Sequence, residues 1–274
     1  MKTIIAATDF SEIADNAARY ALQMAMRTGA ELTLLHVLPP ALITVQIPLP
    51  AEGLGARLKE AKESLACLKE QLEHSAGGAL NITCRLVADS FLEEIKALNR
   101  SKEVFAVVMG TSRAGAAEML LFGSFSLLAA KHLDHSLIVI PPGCRYSATG
   151  KIGLACDLEN ALEHLPIDAV ADILQRLDAK LEIFYISRSA PEKNPVISGH
   201  RSSLQHSFER SRPAIRIAAC RDVSEGLEDL AGQSGVDLLL LVARKRNIFR
   251  NLFYKSIVKQ MVLYAVVPVM ILHE

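Results

Sequence analysis

The chain has 274 residues, equal numbers of acidic and basic side chains, and an apolar half in which aromatics are few and tryptophan is absent. Balanced charge excludes a reading built on counterion release at nucleic acid or an anionic membrane, and a core short of aromatics suits Ala, Leu, Ile and Val packed as helices on a sheet. The length exceeds one typical domain, leaving one large unit or two domains of about 140 residues each.

Short β-type runs alternate with helical-period runs, the pattern of parallel strands joined by crossover helices. The chain opens on Ile4, Ile5, Ala6 and Ala7 followed by Asp9 and Glu12, too short and too acidic for a signal peptide. Strands are predicted at Thr3–Ala7, Leu32–Val37, Ile82–Val87, Val104–Met109 and Leu137–Ile140. Between strands 2 and 3, Leu58, Ala61, Leu65, Leu68 and Leu72 share one helical face. Ser90 with Glu93 has the form of a capping box ahead of Ile95 and Leu98. The apolar segment Leu38–Pro50 is broken by Pro39, Pro40, Pro48 and Pro50, which argues against a membrane span. It reads as a lid, a partner contact or packing between domains.

The second half repeats the order, with strands predicted at Ile152–Ala155, Leu181–Ile186, Ile215–Ala219, Leu238–Val242 and Val269–Leu272, and a second box at Asp222 and Glu225. Landmarks recur in step. AATDFS at Ala6–Ser11 answers LACDLE at Leu154–Glu159, and GAELTLLHV at Gly29–Val37 answers DAKLEIFYI at Asp178–Ile186. FGSFS at Phe122–Ser126 answers YKSIV at Tyr254–Val258, and HSLIVI at His135–Ile140 answers VPVMIL at Val267–Leu272. A repeat of whole domains accounts for this, with copies over 1–145 and 150–274 and a linker in the Pro, Gly and Ser-bearing segment Pro141–Gly150. The five cysteines, Cys67, Cys84, Cys144, Cys156 and Cys220, are scattered and form no CxxC pair, as expected of reduced thiols in a cytoplasmic protein.

The loop after strand 4 carries the chemistry. Gly110 follows Met109, and a glycine there lets backbone approach phosphate oxygens. Gly123 and Ser124 then open a helix whose free amides and dipole favour an anion, with Ser126 as a further hydroxyl donor. Asp9, at the carboxyl end of strand 1, lies on the sheet edge where open α/β folds bind ligands, placed to accept bonds from ribose hydroxyls. The competing reading gives Gly110 and Gly123 only the job of tight strand-to-helix turns.

On these residues both halves resemble universal stress protein domains. The resemblance implies two tandem Rossmann-like domains of the adenine nucleotide alpha hydrolase-like type, α/β, each a five-stranded parallel sheet flanked by helices. Nucleotide-binding versions carry an Asp after strand 1 and a loop G-x-x-G-x9-G-[ST]; here Asp9 matches, and the loop reads Gly110-Thr111-Ser112-Arg113, then Gly123-Ser124. The resemblance adds Ala7, Thr8 and Val37 to the base and sugar region, and Met109, Thr111 and Phe125 to the loop. Arg113 replaces the second glycine, either clamping phosphates with its guanidinium or filling their place. The implied ligand is ATP or another adenine nucleotide such as AMP, with or without magnesium.

The second copy departs further from this pattern. Ala243 stands for the first glycine, Arg244, Lys245 and Arg246 fill the loop, Lys255 replaces the third glycine, and Asp157 and Ser256 remain. With Arg250, this basic cluster reads as a solvated turn or an anion site. His132, His135, His200 and His206 have no partners at metal-ligand spacing. No HxGH, SGGxDS or GxxxxGK[ST] signature is present, and no Ser, His and Asp set has placeable roles, so no catalytic residue is assigned. A phosphoacceptor receiver needs an acidic pair after strand 1, and only Asp9 stands there.

Three functions follow in order: a nucleotide-responsive stress-response protein with an unknown protein partner, an interaction scaffold without nucleotide, and a slow ATPase or adenylyl transferase. The last strand of each copy is an expected sheet edge, which invites pairing, and the resemblance implies that those edges meet, as in dimers of the family. The two copies are therefore expected to form an intramolecular pseudo-dimer, and homodimerisation of the whole chain stays open.

Overall fold

The computed structural model describes residues 2–38, 51–87, 90–101, 103–111, 123–148, 150–156, 165–187, 203–209, 211–243 and 252–273. The chain forms two compact units, Met1–Gly110 and Thr111–Glu274. Both are α/β, with mostly parallel strands and helices between them.

The first unit runs β1 (Lys2–Ala7), α1 (Glu12–Thr28), β2 (Glu31–Val37), α2 (Ala51–Ser75), β3 (Ile82–Val87), α3 (Phe91–Ser101) and β4 (Glu103–Gly110). Its sheet order is β3-β2-β1-β4, every pairing parallel, with Ile5 level with Thr33 on one side and Val107 on the other. Ile4, Ile5, Leu32, Leu34, Ala106 and Val107 are fully buried, as required of strands covered on both faces. Helix α1 starts at Ser11, whose hydroxyl accepts from the Ala14 N–H at 3.2 Å, and ends on Gly29 in the left-handed region. Its buried residues are Ala14, Ala17, Ala18, Ala21 and Ala25 together with the larger Tyr20, Leu22 and Met24. On α2 the face read from the sequence is the one that packs: Ala61, Leu65, Leu68 and Leu72 are buried and Leu58 is half-buried. At α3 the Ser90 carbonyl accepts from the Glu94 N–H, and the Glu93 carboxylate pairs with Lys96 at 2.8 Å. Arg85 of β3 holds Glu94 at 2.9 Å.

The second unit runs α4 (Gly123–His132), β5 (Leu137–Ile140), β6 (Lys151–Ala155), α5 (Ile167–Leu177), β7 (Lys180–Ser187), β8 (Ala214–Ala219), α6 (Val223–Ser234), β9 (Leu238–Ala243), α7 (Leu252–Tyr264) and β10 (Val269–His273). Its strand order is β5-β10-β9-β6-β7-β8. All pairings are parallel except β5 with β10, which run antiparallel with Val139 opposite Val269 and Leu137 opposite Ile271. The strands expected from the sequence as the two sheet edges, Leu137–Ile140 and Val269–Leu272, therefore pair with each other.

One pattern of strand neighbours recurs in the two units. In the first unit β1 lies between β2 and β4, and in the second β6 lies between β7 and β9. Helix α6 is capped by Asp222, whose Oδ1 accepts from Ser224 N at 2.8 Å and Glu225 N at 3.2 Å. The Ser224 hydroxyl donates to Gln260 Oε1 at 2.7 Å, tying α6 to α7. Buried Glu182 of β7 is held by the part-exposed Arg216 of β8 at 2.5 Å and Lys151 of β6 at 3.7 Å. Among the described residues no helix is long and apolar enough to cross a membrane.

Candidate functional site

Because β1 is followed by β2 on one side and flanked by β4 on the other, the chain direction across the first unit's sheet reverses at β1. The carboxyl ends of β1 and β4 are thus a topological switch point, the place where open α/β sheets leave a crevice. Ala7 closes β1 and Gly110 closes β4.

Thr8 prolongs the ladder. Its N–H donates to Leu35 O at 2.9 Å, its hydroxyl accepts from the Phe10 N–H at 3.0 Å, and its carbonyl lies 2.7 Å from His36 Nδ1. A carbonyl only accepts, so His36 carries its proton on Nδ1. Phe10 adopts φ 65°, a left-handed conformation uncommon for a side chain of this size, and its ring stacks on His36 with centroids 4.4 Å apart. Asp9, between these two anchored residues, is exposed. Its Oδ1 accepts from the Ser11 N–H at 3.0 Å and the Ser11 hydroxyl at 2.6 Å. Oδ2 has no hydrogen-bond partner among the described residues and is available to a hydroxyl donor.

Burial raises the Asp15 carboxyl above its ordinary range; Arg19 opposes this, while Asp9 and Glu12 add to it.

Gly110 has a packing reason for lacking a side chain. A Cβ there would lie 2.6 Å from Ile13 Cγ2 and 2.7 Å from the Ile13 carbonyl oxygen, inside the first turn of α1. Met109 is buried, and Val37 is half-buried at the end of β2, beyond which Leu38 N donates to Val87 O at 2.8 Å.

In the second unit, Thr111 is buried, its N–H donating to Ile140 O at 3.0 Å and its hydroxyl lacking a partner among the described residues. Gly123, Ser124, Phe125 and Ser126 form the first turn of α4, and Ser126 is buried. Arg113 and Ser112 lie outside the described residues, as do Asp157, the Arg244–Arg246 run, Arg250, His200 and residues 39–50 of the apolar segment. The carboxyl end of β6 reproduces one feature of β1: Cys156 N donates to Phe184 O at 2.9 Å, as Thr8 N does to Leu35 O.

His36 and Phe10 were not singled out by the sequence reading. The available signal was a histidine inside the apolar run of strand 2, which has no other polar residue except Thr33 between Leu32 and Val37.

The family model described as Universal stress protein family matches residues 1–141. In fold the chain is similar to a universal stress protein from Archaeoglobus fulgidus DSM 4304, with a TM-score of 0.75 and 14% identity over 99% of this chain and 96% of that one. It is also similar to a functionally unknown protein from Pseudomonas aeruginosa PAO1, with a TM-score of 0.61 and 12% identity over 100% of this chain and 92% of that one. At such identities the likeness is one of fold. The comparison with curated sequences gives no match.

Proposed function

This chain belongs to the universal stress protein family, and from that premise we propose that its first copy holds an adenine nucleotide, ATP or AMP, as a regulatory ligand in a stress response. The observation that carries the reading is Asp9. Its carboxylate stands at the switch point with one oxygen fixed by Ser11 and the other open, an acceptor pre-set for ribose hydroxyls. Ala7, Thr8 and Val37 close the same edge.

Phosphates fall in this reading to the turn that opens α4, where Gly123, Ser124, Phe125 and Ser126 supply amides and hydroxyls. Met109, Gly110 and Thr111 lead into that loop, and Arg113 clamps the phosphates. Magnesium, where it accompanies ATP, is held through the phosphates. Occupancy shifts a conformation or the affinity for a protein partner, and no chemical step is required.

The two copies, 1–145 and 150–274, are read as one ancestral domain repeated, and the antiparallel β5–β10 pairing supports an intramolecular pseudo-dimer. Five free cysteines support a reducing, cytoplasmic setting.

A scaffold without nucleotide is the second reading, and Gly110 favours it: packing against Ile13 demands that glycine whether or not a phosphate is ever near. Equilibrium binding of ATP with and without magnesium, on wild type, Asp9→Ala and Gly123→Asp, separates the two. Binding by wild type alone supports the nucleotide site; no binding by wild type gives the scaffold.

A further inference from the structure

We propose that His36 is the positioning residue for Asp9: its Nδ1–H and its ring face fix the backbone on both sides of that carboxylate, so the aim of Asp9 depends on a histidine 27 positions away in sequence. Its value for ligand binding rests on the nucleotide reading above.

Asp9 is exposed and makes no bond into the core through its own side chain, so its direction is set by its neighbours. On its N-terminal side, Thr8 is held at three points, the N–H to Leu35, the hydroxyl to Phe10 and the carbonyl to His36. The first two are local or part of the ladder. The third comes from a buried side chain and fixes the plane of the Thr8–Asp9 peptide. On the C-terminal side, Phe10 sits at φ 65°, a conformation that costs free energy for a bulky residue and persists only where contacts over-determine it. The contact is the stack on the same imidazole, at 4.4 Å and 30°. One side chain thus supplies the hydrogen bond before Asp9 and the aromatic surface after it.

The tautomer matters because only Nδ1–H can donate to the Thr8 carbonyl. Asparagine at this position presents an amide N–H at about the reach of Nδ1, so it keeps the donor and loses the ring; leucine loses both. The donor accounts for the larger share, since without it a buried carbonyl is left unpaired.

The test combines three measurements on wild type, His36→Asn and His36→Leu. Nitrogen chemical shifts of the imidazole read the tautomer. Hydrogen exchange of the Phe10 amide, against strand amides such as Ala6 and Leu34, separates local loosening from loss of the whole fold. ATP affinity reads the function. We expect a proton on Nδ1, Phe10 exchange at least about tenfold faster in His36→Leu with the strand amides unchanged, and ATP affinity weakened about tenfold in His36→Leu and largely restored in His36→Asn. A proton on Nε2, or unchanged Phe10 exchange in His36→Leu, overturns the proposal. If wild type binds no ATP, the nucleotide reading falls, and the tautomer and the Phe10 amide still decide whether His36 positions Asp9.

Discussion

Gly110, the last residue of β4, lies against Ile13 in the first turn of α1 so closely that an added methyl would meet Ile13 Cγ2 at 2.6 Å and its carbonyl oxygen at 2.7 Å. The second distance is to backbone, which cannot rotate away. Gly110→Ala is therefore expected to destabilise the chain by about 1–3 kcal/mol, seen as a lower urea midpoint at unchanged slope. A variant as stable as wild type would mean that α1 yields at its first turn.

Asp9→Asn separates the aim of the carboxylate from its charge. The amide oxygen can still accept from Ser11, preserving the turn, while an NH2 replaces the open Oδ2. ATP affinity should fall about 10- to 100-fold, the worth of hydrogen bonds to a charged acceptor, with little change in Tm. Undiminished binding would remove Asp9 from the ligand site.

Glu182 gives a pH signature. Burial pushes its carboxyl upward, but hydrogen bonding and charge from Arg216, with Lys151 adding to them, outweigh this and hold it below the ordinary glutamate range. A lowered folded value means that the ion pair stabilises fully above about pH 4.3, the unfolded value, and that the contribution is lost as pH falls through the folded one. Glu182→Gln should cost about 1–2 kcal/mol at pH 7, discounted because Arg216 and Lys151 are part-exposed. The gap between variant and wild type in denaturant titrations should close in acid; a gap independent of pH would assign the effect to packing.

Gly153 in β6 lies beneath the fully buried ring of Phe184. A Cβ there would stand 2.5 Å from Phe184 Cε2 and 3.2 Å from Leu239 Cδ1. Gly153→Ala is expected to cost about 1–3 kcal/mol by overpacking. In Phe184→Leu the added methyl finds space, so the double variant should be more stable than the sum of the two single losses, by about 1 kcal/mol or more. Strict additivity would mean that the ring is not what excludes the methyl.

The sequence by itself determined the elements. Continuous apolar runs such as Leu238–Val242 located buried parallel strands to within a residue or two, because such strands need no polar face. The stripe Ala61, Leu65, Leu68 and Leu72 identified the packed side of α2, because helical period and burial share one geometry. Asp222 marked a helix start, because a carboxylate there satisfies two free amides. The expected edge strands do pair, β5 with β10; only tertiary structure decided that this pairing is antiparallel, that Gly110 is required by Ile13, and that His36 reaches both Thr8 and Phe10. The physical reason is that period and capping act over a few residues, whereas strand partners, close backbone approaches and a donor for one carbonyl are set by how distant segments stack.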